Sequence, residues 1–274
     1  MDADKLLRSH GIRPRHRLGQ NFLEDEAALA EIAAAARIRP DDTVLEIGCG
    51  FGSLTRHLAR SAATVIAVEV DPKLAALAAE TLSSLGNVRL ICGDILALSP
   101  AEIGLAPAYI AAANIPYYVT SPIMRHLLES DPKPRRIVLT VQEEVADRVC
   151  AHPPHMGLLS LSVQVYGTAE IVARIPAQAF FPAPKVNSAV VRIEAYESPL
   201  IPPGLLPVFF KLAKASFLHR RKTLRNSLAA GLNLTPAEAA AMLTAADIDP
   251  QRRAQTLDLA EWEVLTREAE RRLA

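Results

Sequence analysis

Val44-Leu45-Glu46-Ile47-Gly48-Cys49-Gly50-Phe51-Gly52 is an apolar run that ends in closely spaced glycines. Ser53-Leu54-Thr55-Arg56-His57-Leu58 follows it and reads as the start of a helix. Strand, glycine loop, helix is the nucleotide-binding opening of a doubly wound sheet, in which glycines let the backbone approach a ligand. Working outward, Thr64-Val65-Ile66-Ala67-Val68 predicts a second strand, which ends at Glu69. An acid there can accept hydrogen bonds from ribose hydroxyls. Val88-Arg89-Leu90-Ile91-Cys92 predicts a third strand, leading to Gly93-Asp94, where a carboxylate can meet an adenine amino group. The glycines read G-x-G-x-G, and Ser53 stands where a dinucleotide fingerprint carries its last glycine. A ligand with an adenosine but no phosphates therefore fits the loop better, and S-adenosylmethionine is the obvious one.

A fourth predicted strand leads to Asn114-Ile115-Pro116-Tyr117. Alone, N-x-P-Y is usually a turn with a packed aromatic. Beside the glycine loop, Glu69 and Asp94, it suits the methylation of an exocyclic amino group on a flipped-out base. Such a nitrogen is a poor nucleophile because its lone pair is spread into the ring. Two acceptors on its two N–H groups, the Asn114 side-chain carbonyl and the Ile115 main-chain carbonyl, can hold it in line. Pro116 stiffens the turn, and Tyr117 can stack on the base.

These motifs are similar to those of the bacterial small-subunit (16S) ribosomal RNA adenine N6,N6-dimethyltransferase (dimethyladenosine transferase) family. The resemblance runs from Leu18-Gly19-Gln20-Asn21-Phe22-Leu23 through the two motifs above to Phe180-Phe181-Pro182-Ala183-Pro184-Lys185-Val186-Asn187-Ser188 and Arg220-Arg221-Lys222-Thr223-Leu224-Arg225-Asn226. It implies an enzyme that uses S-adenosylmethionine, with Asn21, Leu23, Gly48, Glu69, Asp94 and Asn114 at the donor; Gly50, in the glycine loop, is expected at the donor as well. It implies that Phe180 faces the target base across from Tyr117. It implies two methyls on each of two adjacent adenosines near the 3′ end of the RNA. Two rivals stand beside this reading. A large-subunit rRNA adenine methylase of the antibiotic-resistance type shares the donor motifs but is disfavoured by the stretch from Arg220 to Asn226. The other is an assembly factor acting mainly by binding.

Lysine plus arginine and aspartate plus glutamate each number 30, so the net charge is zero. The charge is nevertheless segregated, which keeps a nucleic-acid partner open. Arg8, Arg13, Arg15 and Arg17 lie in a stretch without acids, as do Lys211, Lys214, Arg220, Arg221, Lys222 and Arg225. The residues expected to face RNA are Arg13, Arg15, Arg17, Lys185, Arg220, Arg221, Lys222 and Arg225. On a helix, residues 220–222 would fan around more than half a turn, which suits phosphates on either side of a groove. The three cysteines are scattered and no histidine has a partner at ligand spacing, so neither a disulfide framework nor a metal is expected. The charged N-terminus lacks a signal-peptide core, and the two uncharged stretches, 103–124 and 149–169, are interrupted by prolines. The expected protein is cytoplasmic and monomeric, bound to no membrane, and acts on a partly assembled 30S particle.

The expected fold is α/β: a Rossmann-like class I methyltransferase sheet with a small C-terminal all-helical domain. Residues 1–200 would form the donor domain, residues 1–24 closing over the donor, and 201–274 a helical RNA-binding domain. Later strands are expected at 136–142, roughly 159–173 and 186–195, the last two as an antiparallel hairpin. Ser198-Pro199-Leu200-Ile201-Pro202-Pro203-Gly204 is the clearest linker. Helix signals are Asp71-Pro72 with Gly86 as terminator, the boxes Ser99–Glu102 and Thr235–Glu238, Ser121-Pro122, and Asp258–Glu261 before Trp262.

Overall fold

The computed structural model describes residues 3–15, 19–219 and 221–273. The chain divides into two compact units, residues 1–146 with 169–195, and residues 147–168 with 196–274.

In the first unit α1 (Ala3–Ser9) and the short β1 (Phe22–Leu23) precede α2 (Glu26–Ala35). An alternation follows: β2 (Thr43–Ile47), α3 (Ser53–Ala59), β3 (Thr64–Glu69), α4 (Pro72–Thr81), β4 (Val88–Cys92), β5 (Ile110–Asn114), α5 (Thr120–Glu129) and β6 (Arg136–Gln142). Then come α6 (Glu143–Val149), α7 (Leu158–Gln164), β7 (Gly167–Ile175), β8 (Phe180–Phe181) and β9 (Ser188–Ala195). Among the described residues the large sheet has the order β4-β3-β2-β5-β6-β9-β7. β2, β3, β4, β5 and β6 are parallel, and β9 runs antiparallel to β6.

β3 and β5 read as near-continuous apolar runs, and β2 does so apart from the buried Glu46, because helices cover both faces of the sheet. On one face Leu29 and Ile32 of α2 and Leu54 and Leu58 of α3 pack over Val44, Val65 and Ile110. On the other, Ala78 of α4 and the following Leu82 meet Cys49 and Ala67. The strand order reverses between β2 and β5, and such a switch point opens a crevice at the strands' carboxyl ends. β1 and β8 form a separate antiparallel pair, with Leu23 opposite Phe180 and Phe22 opposite Phe181. Leu7 of α1 packs with Phe22, Phe51 and Leu74, so the N-terminal segment is anchored beside the glycine loop.

The second unit contains α7, α8 (Leu206–Phe217), α9 (Leu224–Leu232), α10 (Pro236–Ala245) and α11 (Leu259–Leu273). Trp262 is fully buried, edge-on to Phe209 and stacked near Phe217. The reciprocal box of Thr235 and Glu238 opens α10, and Asp258 and Glu261 exchange the same bonds at the start of α11.

The layout differs from the sequence expectation in several places. Residues 158–164, expected within a strand, are helical. Their apolar alternation suits a strand, but Ser160 and Gly157 close a first helical turn, the Gly157 N–H donating to the Ser160 hydroxyl. Gln164 then donates to the carbonyls of Val149 and Ala151, and the Leu200 N–H donates to Val165. Those bonds assign 147–168 to the second unit, so the division falls at 146, 168 and 195 rather than once at 200. α4 ends at Thr81, short of Gly86. Ser99 and Glu102 form their box, yet only turns follow. No helix among the described residues is long and apolar enough to cross a membrane.

Candidate active site

A cavity of about 300 Å³ opens at the carboxyl ends of β2 to β5. Its lining includes Asn21, Leu23, Gly48, Gly50, Glu69, Asp94, Phe180 and the whole run from Asn114 to Tyr117. Residues from Gly19 to Phe180, far apart in sequence, thus meet in one crevice.

The glycine loop is tied to the end of β3. The Gly48 N–H donates to the Val68 carbonyl at 2.8 Å. Gly50 donates to Glu69 Oε2 at 2.9 Å, and Asp71 donates to Oε1 at 2.9 Å. The loop therefore fixes the Glu69 carboxylate, and each oxygen keeps acceptor capacity for a hydroxyl. Burial raises its pKa, with these two N–H groups opposing the shift. Gly50 has φ near 59°, and a Cβ there would come within 3.2 Å of the Phe22 ring. The left-handed backbone strains a side chain at that position, and the tight approach to Phe22 adds to the cost. Asp94 is exposed and accepts the Leu96 N–H at 3.0 Å through Oδ1.

Asn114 ends β5. Its Nδ2 donates to the main-chain carbonyl of Asn21 at 3.3 Å, and Asn21 Nδ2 donates to Gly19 at 3.3 Å. The amide nitrogen of Asn114 is thus engaged by the N-terminal segment, and its carbonyl end remains as an acceptor. Ile115 is buried beneath it. The Tyr117 hydroxyl shares a 2.7 Å hydrogen bond with the hydroxyl of Ser188, which holds its half-buried ring. Burial pushes the Tyr117 pKa up, so the phenol stays neutral. Phe180, buried, lines the same cavity, brought there by its pairing with Leu23. Asp71 secures the segment that precedes Asn21: Arg15 reaches its Oδ2 at 3.3 Å and Gln20 at 3.4 Å.

Glu46, Val70 and Leu96 line the cavity and were not singled out as site residues in the sequence. Glu46 sits in β2 at 2% exposure, and its Oε2 is buried without a partner among the described residues. Burial lifts its pKa to about 8; hydrogen bonding from Thr55 opposes the shift and the nearby Glu69 adds to it. An orphaned carboxyl oxygen at a cavity wall suits a cationic ligand group. Val70 and Leu96 line the cavity while 54% and 41% exposed, a setting for the faces of a flat apolar ring. The available signal was position: each stands one or two residues past Glu69 or Asp94. A ribose, a planar base and a cation are parts of S-adenosylmethionine, and the donor set fits them.

Of the cations expected to face RNA, Arg13, Arg15, Lys185, Arg221 and Lys222 are exposed, and Arg15 is also paired with Asp71. Arg225 is half-buried and donates to Asn226 at 3.2 Å. Arg17 and Arg220 lie outside the described residues. His219, Arg221 and Lys222 stand in the turn between α8 and α9 rather than on a helix. Thr223 is extended and starts α9, so the cations crowd a bend instead of fanning round a turn of helix. His57, expected to be structural or exposed, pairs with Glu26 at 2.9 Å.

The sequence pattern described as Ribosomal RNA adenine dimethylase matches residues 11–267. The chain belongs to the ribosomal RNA adenine dimethylase family. It is a methyltransferase of that family, and S-adenosylmethionine is its methyl donor. Among relatives of the rRNA adenine dimethylase, Ribosomal RNA small subunit methyltransferase A of Dehalococcoides mccartyi is 43% identical over 96% of this chain and 91% of its own length. The protein of the same name from Moorella thermoacetica is 39% identical over 96% and 94%. The solved 23S rRNA methyltransferase ErmE is similar with a TM-score of 0.74 and 28% identity over 91% of this chain and all of its own. A dimethyladenosine transferase from Plasmodium falciparum shares the fold, with a TM-score of 0.78 and 24% identity over 91% and 98%.

Proposed function

We propose that this chain transfers methyl groups from S-adenosylmethionine to N6 of two adjacent adenosines near the 3′ end of small-subunit ribosomal RNA, within a partly assembled 30S particle. It acts as a cytoplasmic monomer. The observation that carries the chemistry is the Asn114 amide, whose nitrogen end is held by the Asn21 carbonyl at 3.3 Å. That bond orients the carbonyl end to accept from an amino group entering the cavity.

When bound, the donor supplies an activated methyl on a sulfonium, so the protein contributes mainly position and exclusion of water. Glu69 accepts from the ribose hydroxyls, and Asp94 from the adenine amino group. Gly48 and Gly50 let the backbone come close, and Asn21 and Leu23 close the cavity from the N-terminal side. Tyr117 and Phe180 stack on the target base. The Asn114 and Ile115 carbonyls accept from the two N6–H groups and bring the nitrogen lone pair into line. The proton leaves to water after transfer, so no strong base is required. Glu143, just beyond the end of β6, is engaged by Arg174 and is not needed as a base. Lys185, Arg13, Arg17, Arg220, Arg221, Lys222 and Arg225 meet phosphates.

Small-subunit rather than large-subunit RNA is favoured by relatives at 43% identity carrying the small-subunit name, against 28% for the 23S enzyme. Mass spectrometry of both ribosomal RNAs from cells with and without this protein tests the assignment. Dimethyladenosine lost only from the small-subunit RNA is expected; loss from the large subunit would refute it.

A further inference from the structure

Tyr118 is unlike its neighbour. Tyr117 is half-buried and tethered to Ser188, whereas Tyr118 is 59% exposed. Among the described residues it is the one aromatic side chain left exposed. It nevertheless lines the same cavity as Asn114, Tyr117 and Phe180, so it stands at the rim. Its backbone is pinned in the short turn Tyr117–Val119: the Val119 N–H donates to the Pro116 carbonyl at 3.2 Å, and the Thr120 hydroxyl to Tyr117 at 3.1 Å. The ring also has a seat. A Cβ built on Gly19 would lie 3.4 and 3.6 Å from two of its ring carbons. The N-terminal segment therefore passes beside the ring, which is otherwise exposed.

Drawing a base out of an RNA strand costs its flanking bases a stacking partner. Proteins that handle unpaired RNA commonly replace that partner with an aromatic face, because every base offers a π surface. We infer that Tyr118 stacks on the nucleobase flanking the target adenosine and so gives the enzyme a preference for a purine there, purines having the larger face. This rests on the reading that the target base is flipped into the cavity between Tyr117 and Phe180. It adds a substrate-binding residue that reads the neighbour rather than the target.

The test is a cycle of protein and RNA changes. Small-subunit particles are reconstituted with RNA carrying a purine, a pyrimidine or an abasic site on either side of the target. Each is methylated by the wild-type enzyme, Tyr118→Phe and Tyr118→Ala, with donor affinity measured alongside by calorimetry. For the wild type and Tyr118→Phe, removing the flanking base on one side should lower kcat/KM by about five- to a hundredfold. Tyr118→Ala should respond less than twofold to the same removal. If Tyr118→Ala also weakens donor binding, Tyr118→Leu, which keeps bulk against Gly19 without a π face, is read in the same cycle and should be equally insensitive. An alanine or leucine variant as sensitive as the wild type on both sides overturns the inference while the flipped-base reading stands. A wild-type enzyme that leaves the intact particle unmethylated overturns that reading, and this inference with it.

Discussion

Asn114 has two chemically different ends, and only one is engaged by the fold. Its nitrogen donates to Asn21, so replacing it with alanine removes the carbonyl acceptor and one bond to the N-terminal segment, which its pairing with β8 and its contacts to Asp71 still hold. One preorganised acceptor of this kind is worth on the order of a hundredfold in rate or more. Asn114→Ala should therefore cut turnover by at least that factor while donor affinity, measured by calorimetry, changes little; turnover within tenfold of wild type would refute the role. Glu46 carries a pH dependence of its own. With its pKa near 8, it is neutral at pH 7 before a cationic donor arrives. A cation favours the carboxylate, so binding releases a proton, and affinity should rise from pH 6 to 8 and then level off. Calorimetry in buffers of different ionisation enthalpy should detect that proton for the wild type and not for Glu46→Gln. Folding stability runs the other way. Between the ordinary value of 4.5 and about 8 the native state holds the proton and the unfolded chain does not. The stability present below pH 4.5 is therefore lost as pH rises through 8, at about 1.4 kcal/mol per pH unit. Urea denaturation at pH 5 and 8 should show a smaller difference for Glu46→Gln. The strand ends made Glu69, Asp94 and Asn114 legible because period and motif place them there. Glu46 was not legible, since its burial depends on packing between distant strands.

At the scale of elements, legibility followed locality. The glycine loop, the Asp71-Pro72 start of α4 and the boxes at Thr235 and Asp258 are local hydrogen-bond patterns, and each forms as written. The segment 158–164 was misread because its apolar alternation is common to strands and short buried helices. Residue 160 can be assigned only once the partners of Gln164 are known. The cations after His219 were misread for a similar reason, since the end of α8 is set by packing and no strong stop residue marks it. Helix packing in the second unit yields a test. A Cβ on Gly231 of α9 would lie 2.5 Å from the Ala215 Cβ and 2.6 Å from its Cα on α8. Backbone cannot yield cheaply at such a distance, so the two helices must move apart. Gly231→Ala should cost about 1–3 kcal/mol, despite alanine's better helix propensity. Thermal denaturation followed by circular dichroism measures this, and an unchanged or raised midpoint would show that the helices part freely.

For the whole molecule, a net charge of zero conceals an uneven distribution. In the second unit several arginines are already matched: Arg252 with Glu261, Arg267 with Glu263, and Arg271 and Arg272 with Glu268. Lys211 and Lys214 on α8, and Arg221 and Lys222 in the turn that follows, are exposed and make no ion pair with a described residue. No acid occurs from 205 to 230 to offset them. Unmatched cations on one stretch are costly to leave facing one another and favourable beside phosphates, where each neutralised phosphate releases condensed counterions. Substituting Lys214, Arg221 and Lys222 together by glutamate should therefore weaken binding to purified small subunits. It should also reduce the slope of log affinity against log salt by about 0.7–0.9 for every phosphate that is no longer neutralised. Donor affinity should not change, because all three residues lie in the second unit and the cavity is lined entirely by the first. Filter binding across a salt series decides the first point and calorimetry the second. A wild-type slope in the triple variant would mean that these cations face solvent in the complex. Efficient methylation of an isolated loop oligonucleotide by the same variant would show that the particle is not what the enzyme reads.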